Sequence, residues 1–421
     1  MPHRIHSSLS LLAAFPLAVA AQGAPRALPA PNATFDEPFS QIAGLRELAN
    51  GKVIVADGRD KVVALVDFGA NSATKIGREG SGPAEFGLPA RLFAAPRDTT
   101  LLFDPLNTRY LVIGPDGKPV TTFMVEFAPP PPPPGGAATR GPQMRFGGMT
   151  VARAADARGR LYSESPPLSI NAQGQPVSAD SVAITRFDRG TKQLDTLAWV
   201  KVPSNNSQVT GGQGNMNVRI GGANPLAPRD EWTVFPDGRV AIVRASDYHV
   251  DWILPNGQKK SSPSIRFTPI RMGDADRREE EVLRNKARAN QMMITMSQGP
   301  EGTRRSAQMG PGANAPPLEP LTDWPAVKPP FRPGASSIWA RPNGDLWVRR
   351  TEAAGAKGML FDVIDGEGKV MYQVRLPDRV TLVGFGANTI YTTLADEDDL
   401  LTLRRHPAGE GRLVGMVTPG R

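Results

Sequence analysis

Apolar residues in this chain come in short runs of about five, many of them alternating with polar ones, and the runs are cut by tight-turn dipeptides. Asn50-Gly51, Asp237-Gly238 and Asn343-Gly344 each stand just before such a run, where a hairpin turn needs a residue tolerant of positive φ. A second turn follows at a fixed step: Asp116-Gly117 lies twelve residues after Asp104, and Asn256-Gly257 twelve residues after Arg244. Two hairpin signals in one repeat predict four strands, the content of a single propeller blade.

The repeat recurs six times. "NGKVIVADGRDKVVALVDF" aligns with "RDTTLLFDPLNTRYLVIGPDG", and the frame returns as "RGRLYSES", "DGRVAIVRASDYHV", "NGDLWVRRTE" and "ANTIYTTLADEDD". It makes Asp57, Asp104, Ser165, Arg244, Arg350 and Leu394 equivalent, at steps of 47, 61, 79, 106 and 44 residues. The long steps hold the proline run "PPPPPPGG", the Gly/Asn-rich "SNNSQVTGGQGNMN" and an excursion over about 272–334, and tracts of the first two kinds read as surface loops. The expected fold is all-β: a six-bladed β-propeller of four-stranded antiparallel blades over 22–421. A helical insert falls between blades four and five, and a Pro-rich loop at about 128–145. "ATFDEPFSQI" and "RLVGMVT" are the candidates to pair across the closure, which would leave no exposed sheet edge.

Between the first two repeats stands "IGREGSGPAEFGLPARLFA". A phosphate-binding loop needs Gly-Lys-Ser/Thr opening a helix; Pro83 removes a donor, and Pro89 follows before a helix can form. The run is therefore predicted to be a blade-to-blade crossing. With the following "LLFDPLNTRYLVIGPDGK" it resembles the NHL-repeat pattern of six-bladed propellers, through Gly77, Gly80, Gly82, Pro83, Phe86, Pro89, Asp104, Asn107 and Arg109. The match is close in two blades and fades in the other four, where Ser, Arg or Leu stands in place of the Asp.

Composition narrows the function. The chain carries a formal charge of +8, no cysteine and four histidines, and only His249 and His406 lie beyond the first six residues. A basic start, the apolar "SLLAAFPLAVA" and Ala18-Val19-Ala20 read as a secretory signal peptide over 1–21. No later stretch is apolar enough for a transmembrane helix, so a periplasmic or secreted monomer is expected. Arginine is spread along the chain without a basic block, and aromatics are sparse, which argues against a nucleic-acid partner.

Catalytic motifs are scarce. A three-histidine or Cys/His zinc site has no ligands here, which excludes the zinc-dependent amidating lyases that share the NHL fold. There is no Gly-x-Ser-x-Gly elbow. His249 is flanked at i±2 by Asp247 and Asp251, on one strand face, but lacks a serine partner. Resemblance to six-bladed lactonases would imply one calcium at the channel mouth, held by oxygen ligands from several blades. Here two Arg among the equivalent positions would repel that ion. The candidate ligand-binding rim instead combines Asp57, Arg59, Arg78, Glu85, Asp104, Asn107, Arg109, Arg244, His249, Arg349 and Arg350, acidic on the early blades and basic on the later ones. In the insert, "DADRREEEVLRNKARANQMMITM" predicts a helix of roughly five turns, capped by Asp274 or Asp276 and braced by Glu280 with Arg284. Met292, Met293, Met296 and Met309 follow as packing residues or soft-metal ligands.

The expectation is a non-catalytic propeller without cofactor that binds an anionic or zwitterionic ligand, or an envelope protein, through rim and funnel. The alternative is a calcium-dependent hydrolase of lactones or esters.

Overall fold

The structure is a computed structural model. It describes residues 23–409 apart from 126–150, 166–167, 171–175, 179, 204–207, 211–216, 220–223, 291, 300–301 and 311–316. The proposed signal peptide, the Pro-rich loop at about 128–145 and "RLVGMVT" lie outside the described residues.

Six antiparallel sheets follow one another along the chain. Blade one is Ile42–Glu47, Val53–Asp57, Val62–Asp67 and Ser72–Lys75; blade two is Arg91–Ala95, Thr99–Asp104, Arg109–Ile113 and Pro119–Phe123. Blade three is Ala152–Ala155, Leu161–Glu164, Ser181–Asp188 and Gln193–Lys201; blade four is Glu231–Val234, Val240–Arg244, His249–Ile253 and Lys259–Ser261. Blade five is Ile338–Ala340, Leu346–Arg349, Met359–Ile364 and Val370–Leu376, and Arg26–Ala27 adds a short parallel strand outside Val370–Leu376. Blade six has three strands of its own, Val380–Phe385, Thr389–Ala395 and Leu401–Pro407. Its fourth is Ala33–Thr34, antiparallel to Arg404 and Arg405. The N-terminal segment therefore closes the ring, with Leu401–Pro407 as its partner strand in place of the "RLVGMVT" expected from sequence.

Six apolar clusters seal the six interfaces between blades. Ile54 and Ala56 meet Leu102 and Leu111 between blades one and two, and Phe103 meets Leu161 between two and three. Ile184 meets Ile242, Val243 meets Val348, and Phe361 meets Leu382 around the ring. Phe35, Val55, Tyr391 and Leu403 complete it between blades six and one. The inner strands alternate their side chains between two neighbouring blades, so both faces of each sheet are apolar near the axis, while outer strands such as Ser72–Lys75 and Lys259–Ser261 are exposed.

Turns sort onto two ends of the ring. The first-to-second strand turns have positive φ at Gly51, Gly238 and Gly344, and the third-to-fourth turns at Gly117 and Gly257. The opposite end carries the second-to-third strand turns and the crossings between blades, stitched together by Asn107 Nδ2 donating to Gly80 O (2.8 Å) and Arg109 Nη2 donating to Gly82 O (2.7 Å). The Gly-rich run is such a crossing. At Gly80, φ is +155°, a backbone conformation that L side chains rarely adopt, and a Cβ there would also crowd the Glu85 carboxylate.

The insert departs from expectation. The helix, α1, spans Asp274–Ala289, and the methionine-rich sequence that follows is a hairpin, Met292–Gly299 paired with Gly302–Met309. β-branched Ile294 and Thr295 within that run suit a strand better than a fifth helical turn. The N-cap is Gly273, with its amide bonded to the Asp276 carboxylate (2.8 Å). Arg284 pairs with Glu281, while Glu280 turns inward. Part of the Gly/Asn-rich tract also forms a small hairpin, Gln208–Thr210 with Asn217–Arg219.

Candidate functional site

The crossing end is the end α1 covers. Asp276 Oδ1 accepts from Ala354 N (2.8 Å) and Glu279 Oε2 from Gly355 N (3.0 Å), both in the second-to-third strand connection of blade five. Lys286 reaches Asp399 in the corresponding turn of blade six (2.9 Å), and Asn290 accepts from Arg59 in that of blade one (2.8 Å). The helix thus lies over blades five, six and one and leaves blades two, three and four uncovered by it. Its two buried residues are acidic, Asp276 and Glu280, so it docks by charge. Asp276 meets Lys328 at 2.6 Å.

Many of the predicted rim residues are committed to holding the ring. Asp57 is buried and accepts from the amides of Ser40 (2.8 Å), Gln41 (3.1 Å), Arg59 (2.9 Å) and Asp60 (3.0 Å). Asp104 is fully buried and does the same for Gly87 (2.9 Å) and Leu88 (3.0 Å), with Asn107 Nδ2 as a further donor (2.7 Å). Both carboxylates anchor the chain as it enters the first strand of their blade. Glu85 accepts from Gly82 N (2.7 Å) and from Arg78 (2.7 Å), and these two contacts hold its pKa below the usual carboxylate range. Arg109 donates to Gly82 O and Glu85 O.

Blade four exchanges the roles. Arg244 sits where Asp57 and Asp104 sit and pairs with Asp230 (2.7 Å) and Asp251 (2.7 Å). Asp230 now accepts the anchoring amides, those of Lys201 and Ala245. Burial raises the Asp251 pKa, but Ser261 and Arg244 outweigh it and the net direction is down. His249 lies between Asp247 (Nδ1, 2.6 Å) and Asp251 (Nε2, 3.3 Å), so both ring nitrogens face carboxylates and neither is placed to take a serine proton. In blade five Arg350 donates to Asp362 (3.0 Å), which also accepts from the buried Tyr248 hydroxyl (2.6 Å).

A different set of charges gathers where the first strands open onto the axis. Arg153 begins blade three and Glu231 blade four; Arg229 precedes Glu231, and Glu164 ends the second strand of blade three. These four close a cycle: Arg153 to Glu164 (2.7 Å) and to Glu231, Arg229 to Glu164 (2.6 Å) and to Glu231 (3.3 Å). Glu164 also accepts from Trp232 Nε1 (2.6 Å), and Glu231 from Gly334 N (2.7 Å). Burial pushes the Glu164 carboxyl up, yet Arg153 and Arg229 bring it net below its ordinary value. Arg332, two residues before Gly334, binds both oxygens of Glu280 on α1.

These pairs are internally neutral, and two arginines beside them are not. Arg91 opens the first strand of blade two; its Nη1 has one long contact, 3.5 Å to Ala152 O. Arg349 closes the second strand of blade five. Among the described residues, no carboxylate lies within ion-pair distance of either. Both are partly buried, and each has its pKa lowered, by burial first and then by a neighbouring guanidinium, Arg153 for Arg91 and Arg332 for Arg349. Of the predicted rim, Arg349 alone joins this group. The signal for the rest was a charged residue just ahead of the first apolar strand in successive repeats, as in "PARLF", "VARAA" and "PRDEW".

Two clefts lie away from the axis, of about 330 Å³ between blades three and four and about 200 Å³ beside Phe35 and Phe39. In the first, Arg244 is already paired with Asp230 and Asp251. Among the described residues, no three His, Cys, Asp or Glu side chains are grouped to hold a metal ion, and no helix is long and apolar enough to cross a membrane.

No family model matches the chain, and no curated protein matches its sequence. Among solved structures it is similar to a DUF4221 family member from Bacteroides vulgatus, with 9% identity, 90% of this chain and 94% of that one covered, and a TM-score of 0.39. It is similar to the calcium-binding protein regucalcin from Agrobacterium tumefaciens, with 10% identity, 91% and 96% covered, and a TM-score of 0.37. A gluconolactonase from Xanthomonas campestris gives 10% identity, 90% and 94% covered, and a TM-score of 0.37. No residue role passes from these proteins to this chain.

Proposed function

We propose that this chain is an exported, non-catalytic propeller that binds an anionic ligand at the axial mouth on its helix-covered end. The supporting observation is the pair of partly buried guanidiniums, Arg91 and Arg349, that lack a carboxylate partner among the described residues, while Arg153 and Arg332 beside them have one. Arginine forks suit carboxylate and phosphate groups, and partial burial strengthens a charge-assisted contact by reducing its screening. The export pattern at the N-terminus and the NHL-like first crossing are consistent with an envelope binding module. The metal-dependent hydrolase has less behind it, because the carboxylates at the mouth, Glu164, Glu231 and Glu280, are each bonded to arginine.

Thermal melts of the chain with inorganic phosphate, sulfate and citrate, against chloride at matched ionic strength, test the reading. A ligand at a hundredfold its Kd should stabilise the fold by about 2.7 kcal/mol. Melting temperatures that follow ionic strength alone, with no dependence on the anion, would count against it.

A further inference from the structure

We infer that the ligand of this mouth is an elongated dianion whose two acidic groups are held at opposite edges, one by Arg91 and the other by Arg349. The inference rests on the anion-binding reading and narrows it to a ligand class.

The six clusters place the blades around the ring in chain order, so blades two and five face one another across the axis. Arg91 begins the first strand of blade two, at the edge of the mouth. Across the axis, the Arg349 carbonyl accepts from Arg332 N (2.9 Å), which sets Arg349 beside the inner path of blade five. Among the described residues Arg91 and Arg349 have no ion-pair partner, and each lies beside a guanidinium that does: Arg153 of blade three next to Arg91, and Arg332 next to Arg349.

What lies between the edges also matters. Along the arc through blades three and four, Glu164 and Glu231 are closed in a cycle with Arg153 and Arg229, so that arc offers little net charge. The other arc begins blades six and one with uncharged residues, Val380-Thr381 and Ile42-Ala43, and lies on the side where α1 passes. Charge demand is thus concentrated at two separated points. A monoanion meets one of them. Two acids on one backbone make the second contact intramolecular, at an effective concentration set by the spacer length.

Calorimetric titration of the full chain with acetate and with α,ω-dicarboxylates from succinate to suberate tests this. Affinity should peak at one spacer length and exceed that of acetate by at least ~10-fold. Arg91→Met and Arg349→Met should each reduce the best dianion to the acetate level, whereas acetate itself should change by no more than about twofold in either single variant, since one edge survives. Affinity independent of spacer length, or a double variant no worse than one of the singles, overturns the two-edge inference while leaving anion binding in place. Failure of every anion to bind, acetate and phosphate included, removes the anion-binding reading and this inference with it.

Discussion

Arg332 grips Glu280 with both ends of its guanidinium, Nη2 donating to Oε2 at 2.6 Å and Nη1 to Oε1. This contact joins α1 to the inner path of blade five and is largely buried at Glu280. A helix whose buried residues are two carboxylates, with no apolar stripe beneath it, depends on polar pairs of this kind. Glu280→Ala should expose α1 to proteolysis within 274–289 while the propeller resists, because removing one partner leaves the other charge buried and unpaired. Pairing it with Arg332→Met should restore part of the protection. Cleavage unchanged from wild type in Glu280→Ala would show that the remaining contacts suffice.

Asp104 tests the anchoring role. Its carboxylate is the acceptor for the Gly87 and Leu88 amides, which have no strand partner there. Asp104→Ala should cost about 1–3 kcal/mol in urea unfolding, the penalty for leaving buried donors unmet. A change below a few tenths of a kcal/mol would mean that water or backbone replaces it.

Ring closure depends on Phe35, which is 1% exposed and packs on Phe39 with ring centroids 5.8 Å apart. Phe35→Ala should destabilise by about 3–5 kcal/mol in equilibrium unfolding. Loss of less than about 1 kcal/mol would show that the closing segment contributes little beyond its backbone pairing.

His406 gives a pH signature at the same seam. Its Nδ1 donates to Pro29 O (2.7 Å), and its Nε2 lies 2.8 Å from Thr392 Oγ1, a hydroxyl that can donate to the neutral ring. Burial first, then Arg404, lowers its pKa, with the Pro29 carbonyl acting the other way. The unfolded chain therefore takes up the proton at higher pH than the folded one. Stability from this group is complete above the ordinary histidine range, near 6.5, and is lost as pH falls through the folded pKa. Wild type should lose stability in that window relative to His406→Gln; parallel pH curves would refute the assignment.

The unpaired arginines should also tax the fold. Arg349→Met removes a partly desolvated charge that faces Arg332, so the ligand-free variant should gain about 0.5–2 kcal/mol while losing anion binding, a trade typical of functional positions. A variant that loses both stability and binding would mark Arg349 as structural.

Much of the fold was legible in the chain because turn chemistry is local: Asn50-Gly51, Asp237-Gly238 and Asn343-Gly344 are hairpin turns where the dipeptides predict them, and each has its glycine at positive φ. The repeat frame also found Asp57 and Asp104, but their spacing carried no information about what the carboxylates accept, and the structure gives them to backbone amides. The mouth was harder to see. Arg91, Arg153 and Arg229 share a weak signal, a charge just ahead of the first apolar strand, but they and Arg332 stand at unequal distances from the frame markers, and only the curvature of the ring brings them together. The helix end was misread for a related reason: Met292, Met293 and Met296 continue a helix-like spacing beyond Arg288, whereas the strand pairing of Met292–Gly299 with Gly302–Met309 is a non-local choice.

The most direct measurement is calorimetric titration of citrate into the wild-type chain and into the Arg91→Met/Arg349→Met double variant, at low salt and again at 0.5 M chloride. The account predicts a saturable, salt-weakened isotherm in wild type and none in the double variant, with both proteins folded. Equal citrate affinity in the two proteins would contradict it.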